Sequence, residues 1–120
     1  MPLLGFKKQF AGLVASGQKR QTIRAFRKDK RDPRPGDRLY LYEGLRTKSC
    51  RKIGEYVCKS VKSIEIIGDP FGKGLGEVRL NMERLSEARV KSLAKADGFE
   101  SVNDFFIFFG LKFAGVLIKW

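Results

Sequence analysis

The sequence predicts a single α+β domain in which several strands curl into a small mixed β-barrel flanked by short helices. The first observation behind this prediction is length, because 120 residues are enough for one hydrophobic core and too few for two. The second is the order of the apolar patterns, which indicates a strand, a helix, several strands, two helices and a closing strand. We therefore treat residues 1–120 as one domain.

The N-terminal third predicts a strand, a helix and a second strand. A short apolar run over residues 2–6 indicates the first strand, and apolar positions at helical spacing predict a helix over about 6–16. Gly17 follows that pattern and is typical of a helix C-terminus. Alternation of apolar and polar residues predicts a strand over 21–26. A charged loop over 28–37, rich in proline and glycine, separates it from the next strand.

The central third is predicted to consist mainly of strands. Residues 39–42 alternate between leucine and tyrosine, and residues 50–67 are long enough for two further strands. Residues 69–76 form a glycine-rich loop without the spacing of a nucleotide-binding Walker motif. A short strand over 77–80 follows.

The C-terminal third predicts two helices and the closing strand. Ser86 is a good N-cap for a helix that runs to about Ala96. Ser101 and Asp104 have capping-box spacing and predict the start of a short final helix. Residues 112–120 form an apolar strand, which is expected to help close the barrel. No internal repeat is visible in the chain.

Basic residues are concentrated in the N-terminal half. Residues 1–62 contain 17 lysines and arginines against 5 acidic residues, whereas residues 63–120 contain 8 of each. The whole net charge of +12 therefore belongs to one half of the domain. Such asymmetry predicts one basic face that binds a polyanion, with RNA as the expected partner. The alternative is a basic surface that only increases solubility.

The chain contains no histidine, and this excludes several kinds of site. A Ser-His-Asp triad, a paired-histidine ribonuclease mechanism and histidine-ligated metals all require it. Cys50 and Cys58 cannot fill a tetrahedral zinc site by themselves. We expect both to be reduced thiols of a cytoplasmic protein, with Cys50 as a small apolar residue on a strand. A disulfide between them would require that both lie on one antiparallel pair.

Neither a membrane span nor a cofactor is expected. No apolar run approaches the ~20 residues of a membrane-spanning helix. The N-terminus has no apolar segment followed by a cleavage site of small residues, so no secretory signal is expected. With neither a phosphate-binding motif nor a metal-ligand set, the sequence predicts no metal and no cofactor.

Residues 17–24 read Gly-Gln-Lys-Arg-Gln-Thr-Ile-Arg, the pattern G-x-K-x-x-T-x-R between a helix and a strand. This segment resembles the signature of the ASCH domain, a branch of the PUA-like β-barrel superfamily. Residues 35–37 (Pro-Gly-Asp) resemble the family's entry into a strand, and residues 96–101 with 104–106 resemble its acidic-Gly-Phe linker. The resemblance covers nearly the whole chain and implies a PUA-like barrel. The family includes RNA-binding, amidohydrolase and nuclease members.

The same resemblance implies a candidate catalytic set. In the family's small amidohydrolases, which remove the acetyl group of N4-acetylcytidine, a lysine, a threonine and an acidic residue are catalytic. The resemblance assigns the first two positions to Lys19 and Thr22, and the acidic position to Asp97, where those enzymes have glutamate. A neutral amine can attack or activate water, a hydroxyl can orient it, and a carboxylate can move the proton. The alternative for Asp97 is an ordinary residue at a helix end before Gly98.

The motif also contains two arginines. Strand alternation predicts that Arg24 shares a face with Thr22, while Ile23 points to the core. Arg20 and Arg24 are predicted to contact phosphate or a base edge, because the guanidinium offers a planar fork of donors. The alternative is a surface strand with ordinary charges.

A second basic cluster follows the strand that carries two tyrosines. Alternation puts Tyr40 and Tyr42 on one face of that strand and the leucines on the other. Exposed tyrosines beside basic residues suit base stacking combined with phosphate contacts. The cations predicted to make those contacts are Arg46, Lys48, Arg51 and Lys52. The alternative is that the tyrosines cover the barrel and that the charges are solvated.

Three functions are open from the sequence. The first is a module that binds single-stranded or modified RNA, or a modified nucleoside, in a basic cleft. The second is a hydrolase that uses the same cleft, either an N4-acetylcytidine-type amidohydrolase or a metal-independent single-stranded ribonuclease. The third is a structural or protein-interaction domain, supported only by the phenylalanine-rich final helix, whose phenylalanines are expected mainly in the core. The charge favours polyanionic RNA over a free nucleoside.

Overall fold

The computed structural model describes residues 3–68 and 76–120. Within these ranges the chain contains strands and helices in the mixed order that the sequence predicts for an α+β domain. The strands are β1 (Leu3–Phe6), β2 (Gln21–Ala25), β3 (Arg38–Glu43), β4 (Arg51–Val57), β5 (Ser60–Ile67), β6 (Glu77–Leu80), β7 (Glu83–Arg84) and β8 (Lys112–Lys119). The helices are α1 (Lys8–Ser16), α2 (Glu87–Ala96) and α3 (Val102–Phe109). Of the predicted glycine-rich loop, residues 69–75 lie outside the described residues.

The strands form two sheets, and over the described ranges neither sheet closes into the predicted barrel. One sheet has the order β1-β3-β4, with β1 parallel to β3. The other has the order β2-β8-β5-β6-β7, with every neighbouring pair antiparallel. The sequence predicted most of the strands but not which edges would pair, because edge pairing depends on long-range packing.

The edges of the two sheets face each other where β1 and β2 lie. Arg24 Nη2 donates to the Gly5 carbonyl at 2.5 Å, and Arg27 Nη2 donates to the Leu3 carbonyl at 3.0 Å. Arginine side chains from β2 and the residues after it therefore satisfy carbonyl groups on the free edge of β1. The candidate site lies along this seam between the sheets.

Strand β8 contributes to two hydrophobic cores. Its even-numbered residues Val116 and Ile118, together with Trp120, pack with β1, β3 and α1. Leu117 points the other way and packs with β5, β6, α2 and α3. Alternation along one central strand thus joins the two halves of the domain. Phe99, between α2 and α3, packs against both cores.

The helix boundaries follow local capping chemistry. Helix α1 begins at Lys8 rather than near residue 6, because Phe6 is the last residue of β1. Ser86 caps α2 by accepting the backbone N–H of Arg89, as the sequence predicted. Ser101 caps α3 in the same way through the N–H of Asp104.

Two further predictions need correction. Cys50 is exposed and precedes β4 instead of packing on a strand, whereas Cys58 is buried; neither forms a disulfide. Of the α3 phenylalanines, Phe105 is fully buried as expected, but Phe108 is 42% exposed. The Phe108 ring packs against Phe10 and Phe99 on one side, and its other side is accessible to solvent.

Candidate functional site

A sharp turn after α1 brings Lys19 into the interior. Gly17 has a φ of 83°, a left-handed conformation that glycine adopts without strain, and its N–H donates to the Val14 carbonyl at 3.2 Å. The Lys19 N–H then donates to the Leu13 carbonyl at 3.0 Å. The chain reverses into β2, and the Lys19 side chain is only 3% exposed.

Asp97 reaches the same place from the C-terminus of α2. It is the C-cap of that helix, and its N–H donates to the Leu93 carbonyl at 3.0 Å. Gly98 follows with a φ of 97°, and a Cβ at that position would lie 3.1 Å from both Leu13 and Phe10 of α1. The end of α2 therefore packs closely on α1. Asp97 ends a helix, as one interpretation predicted, and it is also buried beside Lys19.

Lys19 and Asp97 form a buried ion pair. The Lys19 Nζ lies 3.0 Å from Asp97 Oδ1 and also donates to the Asp97 backbone carbonyl at 2.5 Å. Gln21 Nε2 donates to the same Oδ1 at 3.4 Å. These contacts join residues from α1–β2 to a residue near the other end of the chain.

Burial changes the protonation equilibria of the pair. Loss of water lowers the pKa of Lys19 below its ordinary value, although the charge of Asp97 acts in the opposite direction. Loss of water likewise raises the pKa of Asp97, against the effects of Lys19 and of the Gln21 hydrogen bond. Each group is therefore brought closer to the neutral form that proton transfer requires.

Thr22 and Arg24 share a strand face, as predicted, but Arg24 is held by the protein. Arg24 Nε donates to Thr22 Oγ1 at 2.9 Å, and its Nη2 donates to Gly5. The guanidinium lies 4.8 Å from the centre of the Phe6 ring. Burial lowers the pKa of Arg24 to about 10. Arg24 thus orients the Thr22 hydroxyl and connects β2 to β1.

The buried polar residues open onto a cavity of about 340 Å³. Lys19, Thr22, Arg24 and Asp97 all line it. The rest of its wall is largely aromatic, and the rings that line it are those of Phe6, Phe10, Phe108, Phe109 and Phe113. An apolar wall with a few convergent polar groups is the usual composition of a small-molecule site, and this volume lies at the lower end of the ~300–1,000 Å³ range of such sites. We call this space the Lys19 cavity.

Other predicted site residues lie outside the Lys19 cavity. Arg20 is exposed and is not among the residues that line the cavity, and its backbone carbonyl accepts the N–H of Trp120. Tyr40 and Tyr42 lie on one face of β3 and the buried Leu39 and Leu41 on the other, as alternation predicted. The two tyrosines are half-buried rather than exposed.

The second basic cluster divides into two pairs. Arg51 donates to Glu43 at 2.7 Å, and Lys52 is bonded to Glu55, so strand carboxylates partly neutralise these two cations. Lys52 also lies 5.5 Å from the Tyr40 ring centre. Arg46 and Lys48 are exposed on the loop over 44–50 that joins β3 to β4.

Both basic segments of the sequence meet β1 beside the Lys19 cavity. The segment after β2 reaches β1 through the bond from Arg27 to the Leu3 carbonyl. The β3–β4 loop reaches it through Leu45, whose Cβ would lie 3.2 Å from a Cβ at Gly5. Gly5 itself lines the cavity. Segments of two clusters that are distant in sequence therefore contact the same strand, one residue of which lines the cavity.

Sequence reasoning missed several residues of the site. Gln21 contacts Asp97, and its place between two motif residues was the only signal available. Phe6 and Phe10 appeared only as apolar positions of the first strand and helix, and Phe108 appeared as core. Their shared cavity depends on how β1, α1, β2 and α3 come together, which no local pattern encodes.

Comparison of the chain with family models, with curated proteins and with solved structures found no match in any of the three. The described residues contain no group of three or more histidine, cysteine, aspartate or glutamate side chains arranged to hold a metal ion. No helix of the described ranges is long and apolar enough to cross a membrane. The functional assignment therefore depends on the chemistry of the Lys19 cavity and on the motif that supplies its residues.

Proposed function

We propose that this protein is an RNA-binding domain of the ASCH type, which takes one nucleoside of a single-stranded or modified RNA into the Lys19 cavity. The observation that carries the proposal is the convergence of Lys19, Thr22 and Asp97 on one aromatic-walled cavity. These three residues are the ones that the G-x-K-x-x-T-x-R motif and the acidic linker nominate.

The composition of the Lys19 cavity suits a nucleoside. Aromatic rings offer stacking surfaces to a base, while the ion pair and the Thr22 hydroxyl offer donors and acceptors to its polar edge. A cavity of about 340 Å³ accommodates one unpaired nucleoside, so a paired base would first have to leave its duplex. The proposal therefore favours single-stranded or modified RNA over a regular duplex.

The charges around the cavity suit a polyanion. Lys7 and Arg24 line it together with the Lys19–Asp97 pair, so cations outnumber carboxylates. Arg46 and Lys48 lie on the loop that packs on β1 through Leu45. Exposed cations on the flank of a base-sized cavity can bind the phosphates on either side of the inserted nucleoside.

Calorimetric titration with N4-acetylcytidine and with a single-stranded hexacytidine RNA tests the proposal. We expect both probes to bind the wild type, and Thr22→Val to weaken both by about tenfold, since the change removes a buried hydroxyl of similar shape and roughly 1–1.5 kcal/mol of hydrogen bonding. Val78→Ala is the matched control, because Val78 is buried in the core outside the cavity. Its titrations should match the wild type at a temperature where both variants are folded. Equal binding by wild type and Thr22→Val would contradict the proposal.

A second candidate function is hydrolysis of an N-acylated base in the same cavity. The observation that favours it is the contact between Lys19 and Asp97. Burial lowers the pKa of Lys19 and raises the pKa of Asp97. Such a pair can exchange a proton with a bound water. In the reaction, water adds to the acyl carbon, the C–N bond breaks, the amine nitrogen takes a proton, and acetate and the free amine leave.

Lys19→Arg separates the two functions. Arginine keeps a positive charge but cannot give up its proton near neutral pH. If the protein only binds, cytidine does not accumulate from N4-acetylcytidine with the wild type, and Lys19→Arg retains much of the affinity. If it is a hydrolase, chromatography detects cytidine and acetate with the wild type, while Lys19→Arg and Lys19→Ala produce neither. Full turnover by Lys19→Arg would remove Lys19 from the proton-transfer steps.

A further inference from the structure

We propose that Phe26 is the stacking platform for the nucleotide next to the one in the Lys19 cavity, so that the ligand of this surface is a single-stranded RNA segment and not a free nucleoside. This inference rests on the proposed function and extends it to the ligand outside the cavity. The sequence patterns gave Phe26 no role beyond the end of a strand.

Phe26 is a large aromatic residue left in solvent. It is 52% exposed, and within the described part of the chain it belongs to neither hydrophobic core. A ring of this size normally buries most of its area, so its exposure favours a contact with a ligand. Met82, which is 87% exposed, lies between β6 and β7, at the far edge of the five-stranded sheet from β2, and serves as a comparison.

The backbone on both sides of Phe26 is held at the rim of the Lys19 cavity. Ala25, immediately before it, lines the cavity. Arg27, immediately after it, donates its guanidinium to the Leu3 carbonyl of β1 and its backbone N–H to Asp32 Oδ1, both at 3.0 Å. Phe26 therefore lies at a fixed position next to the cavity rather than on a freely moving loop.

The surroundings of Phe26 are complementary to a nucleic acid backbone. Residues 27–34 contain five basic residues and two acidic ones. Both acidic side chains accept backbone N–H groups of this segment, Asp32 from Arg27 and Asp29 from Arg31, so they shape the loop. An aromatic ring interleaved with cations binds a stacked base and its phosphates without selecting a particular sequence. A single ring is too small an apolar face for stable membrane binding.

Two titrations test this inference. Fluorescence anisotropy measures the binding of fluorescein-labelled hexacytidine RNA, and calorimetry measures the binding of the single nucleosides cytidine and N4-acetylcytidine. We expect the hexamer to bind more tightly than either nucleoside. Phe26→Ala should weaken hexamer binding by about five- to a hundred-fold, the range for loss of one base–aromatic stack. Nucleoside binding should stay unchanged. Phe26→Trp should restore hexamer binding, and Met82→Ala should behave as the wild type, because it removes an exposed apolar side chain elsewhere.

The outcomes distinguish this inference from the proposed function. If the nucleosides bind and Phe26→Ala leaves the affinity for the hexamer unchanged, the role of Phe26 is wrong and the assignment of the cavity stands. Phe26-dependent binding of the hexamer without any nucleoside binding would uphold the platform and contradict the cavity. If phosphatidylserine vesicles bind in a Phe26-dependent way and the hexamer does not, the surface contacts lipid and the inference is wrong.

Discussion

At the scale of single residues, the Lys19–Asp97 pair determines which chemistry is open to the cavity. Each side chain has lost nearly all of its water, and each is compensated by the other at 3.0 Å. A buried ion pair adds little net stability, but removal of one partner leaves an uncompensated charge in a dry site. The pair should therefore respond very differently to single and double substitution.

Lys19→Met should lower the free energy of unfolding by about 3–5 kcal/mol, because Asp97 then stays buried without its cation. The double variant Lys19→Met with Asp97→Asn should lose much less, since no charge remains and the asparagine oxygen can still accept from Gln21. Urea denaturation of the wild type, Lys19→Met, Asp97→Asn and the double variant measures these effects. A double variant that is destabilised by the sum of the single changes would show that the two residues act independently.

The same pair predicts a pH dependence with opposite signs at the two ends of the scale. The pKa of Lys19 is lower in the folded protein than in the unfolded chain, where it is 10.5. The free energy of unfolding therefore rises as the pH increases from the lowered pKa towards 10.5. The pKa of Asp97 is higher in the folded protein than in the unfolded chain, where it is 3.8. The free energy of unfolding therefore rises as the pH falls from the raised pKa towards 3.8.

Relative to the double variant, which lacks both titrating groups, the wild type should therefore be least stable near neutral pH. Urea denaturation at about pH 4, 7 and 10 gives this difference directly, because effects of other groups cancel between the two proteins. A difference that does not vary with pH would contradict the pKa shifts.

At the scale of elements, the pairing of β2 with β8 positions the motif. Gly115 of β8 lies against the backbone of Arg24, and a Cβ at Gly115 would lie 2.0 Å from the Arg24 carbonyl oxygen. No relaxed strand pair tolerates such a distance, so glycine is required there for close approach of the two backbones. Arg24 in turn orients Thr22 and contacts β1.

Gly115→Ala should destabilise the fold by about 1–3 kcal/mol or more, since β2 must move away from β8 to accommodate the methyl group. It should also weaken binding of N4-acetylcytidine, because Arg24 moves with the strand. Gly12→Ala is the matched change in α1, where nothing lies within 4 Å of the added Cβ. Gly12→Ala should raise the free energy of unfolding by about 0.5–1 kcal/mol, because alanine has a higher helix propensity than glycine. Thermal and urea denaturation compare the two, and equal stabilities would contradict the close packing at Gly115.

At the scale of the whole molecule, folding brings two segments of the basic half of the sequence against β1. The segment after β2 and the β3–β4 loop both contact β1. Not every cation is equally available, however. Arg51 and Lys52 are bonded to Glu43 and Glu55, whereas Arg46 and Lys48 are exposed on the loop.

The salt dependence of RNA binding should reflect this division. Each phosphate contact on a single strand contributes a slope of about −0.7 to log affinity against log salt. Replacing Arg46 and Lys48 by serine should therefore reduce the slope for hexacytidine by about 1.4. In the control, Lys91 and Lys95 of α2, which are also exposed, are replaced by serine, so that the net charge changes by the same amount. Equal slopes for the two double variants would mean that net charge, rather than the β3–β4 loop, governs binding.

Much of the local structure is determined by the sequence itself. Capping signals predicted both C-terminal helices, and Ser86 and Ser101 cap them as expected, because capping bonds join residues three positions apart. Gly17 ends α1 in a left-handed conformation for an equally local reason. Alternation along β3 separated the buried leucines from the tyrosines. In each case the deciding interactions are between near neighbours, so the pattern is visible in the chain.

The site itself is decided by the tertiary structure. Lys19 and Asp97 are 78 residues apart, and they are buried together only because the C-terminal end of α2 approaches α1 and the start of β2. The division into two sheets instead of one barrel, and the use of Arg24 as a link from Thr22 to β1, depend on which strand edges face each other. The exposure of Phe26 and Phe108 depends on the area that neighbouring elements leave uncovered. Such contacts join distant parts of the chain, and their energies arise only when several elements pack together, so no local pattern specifies them.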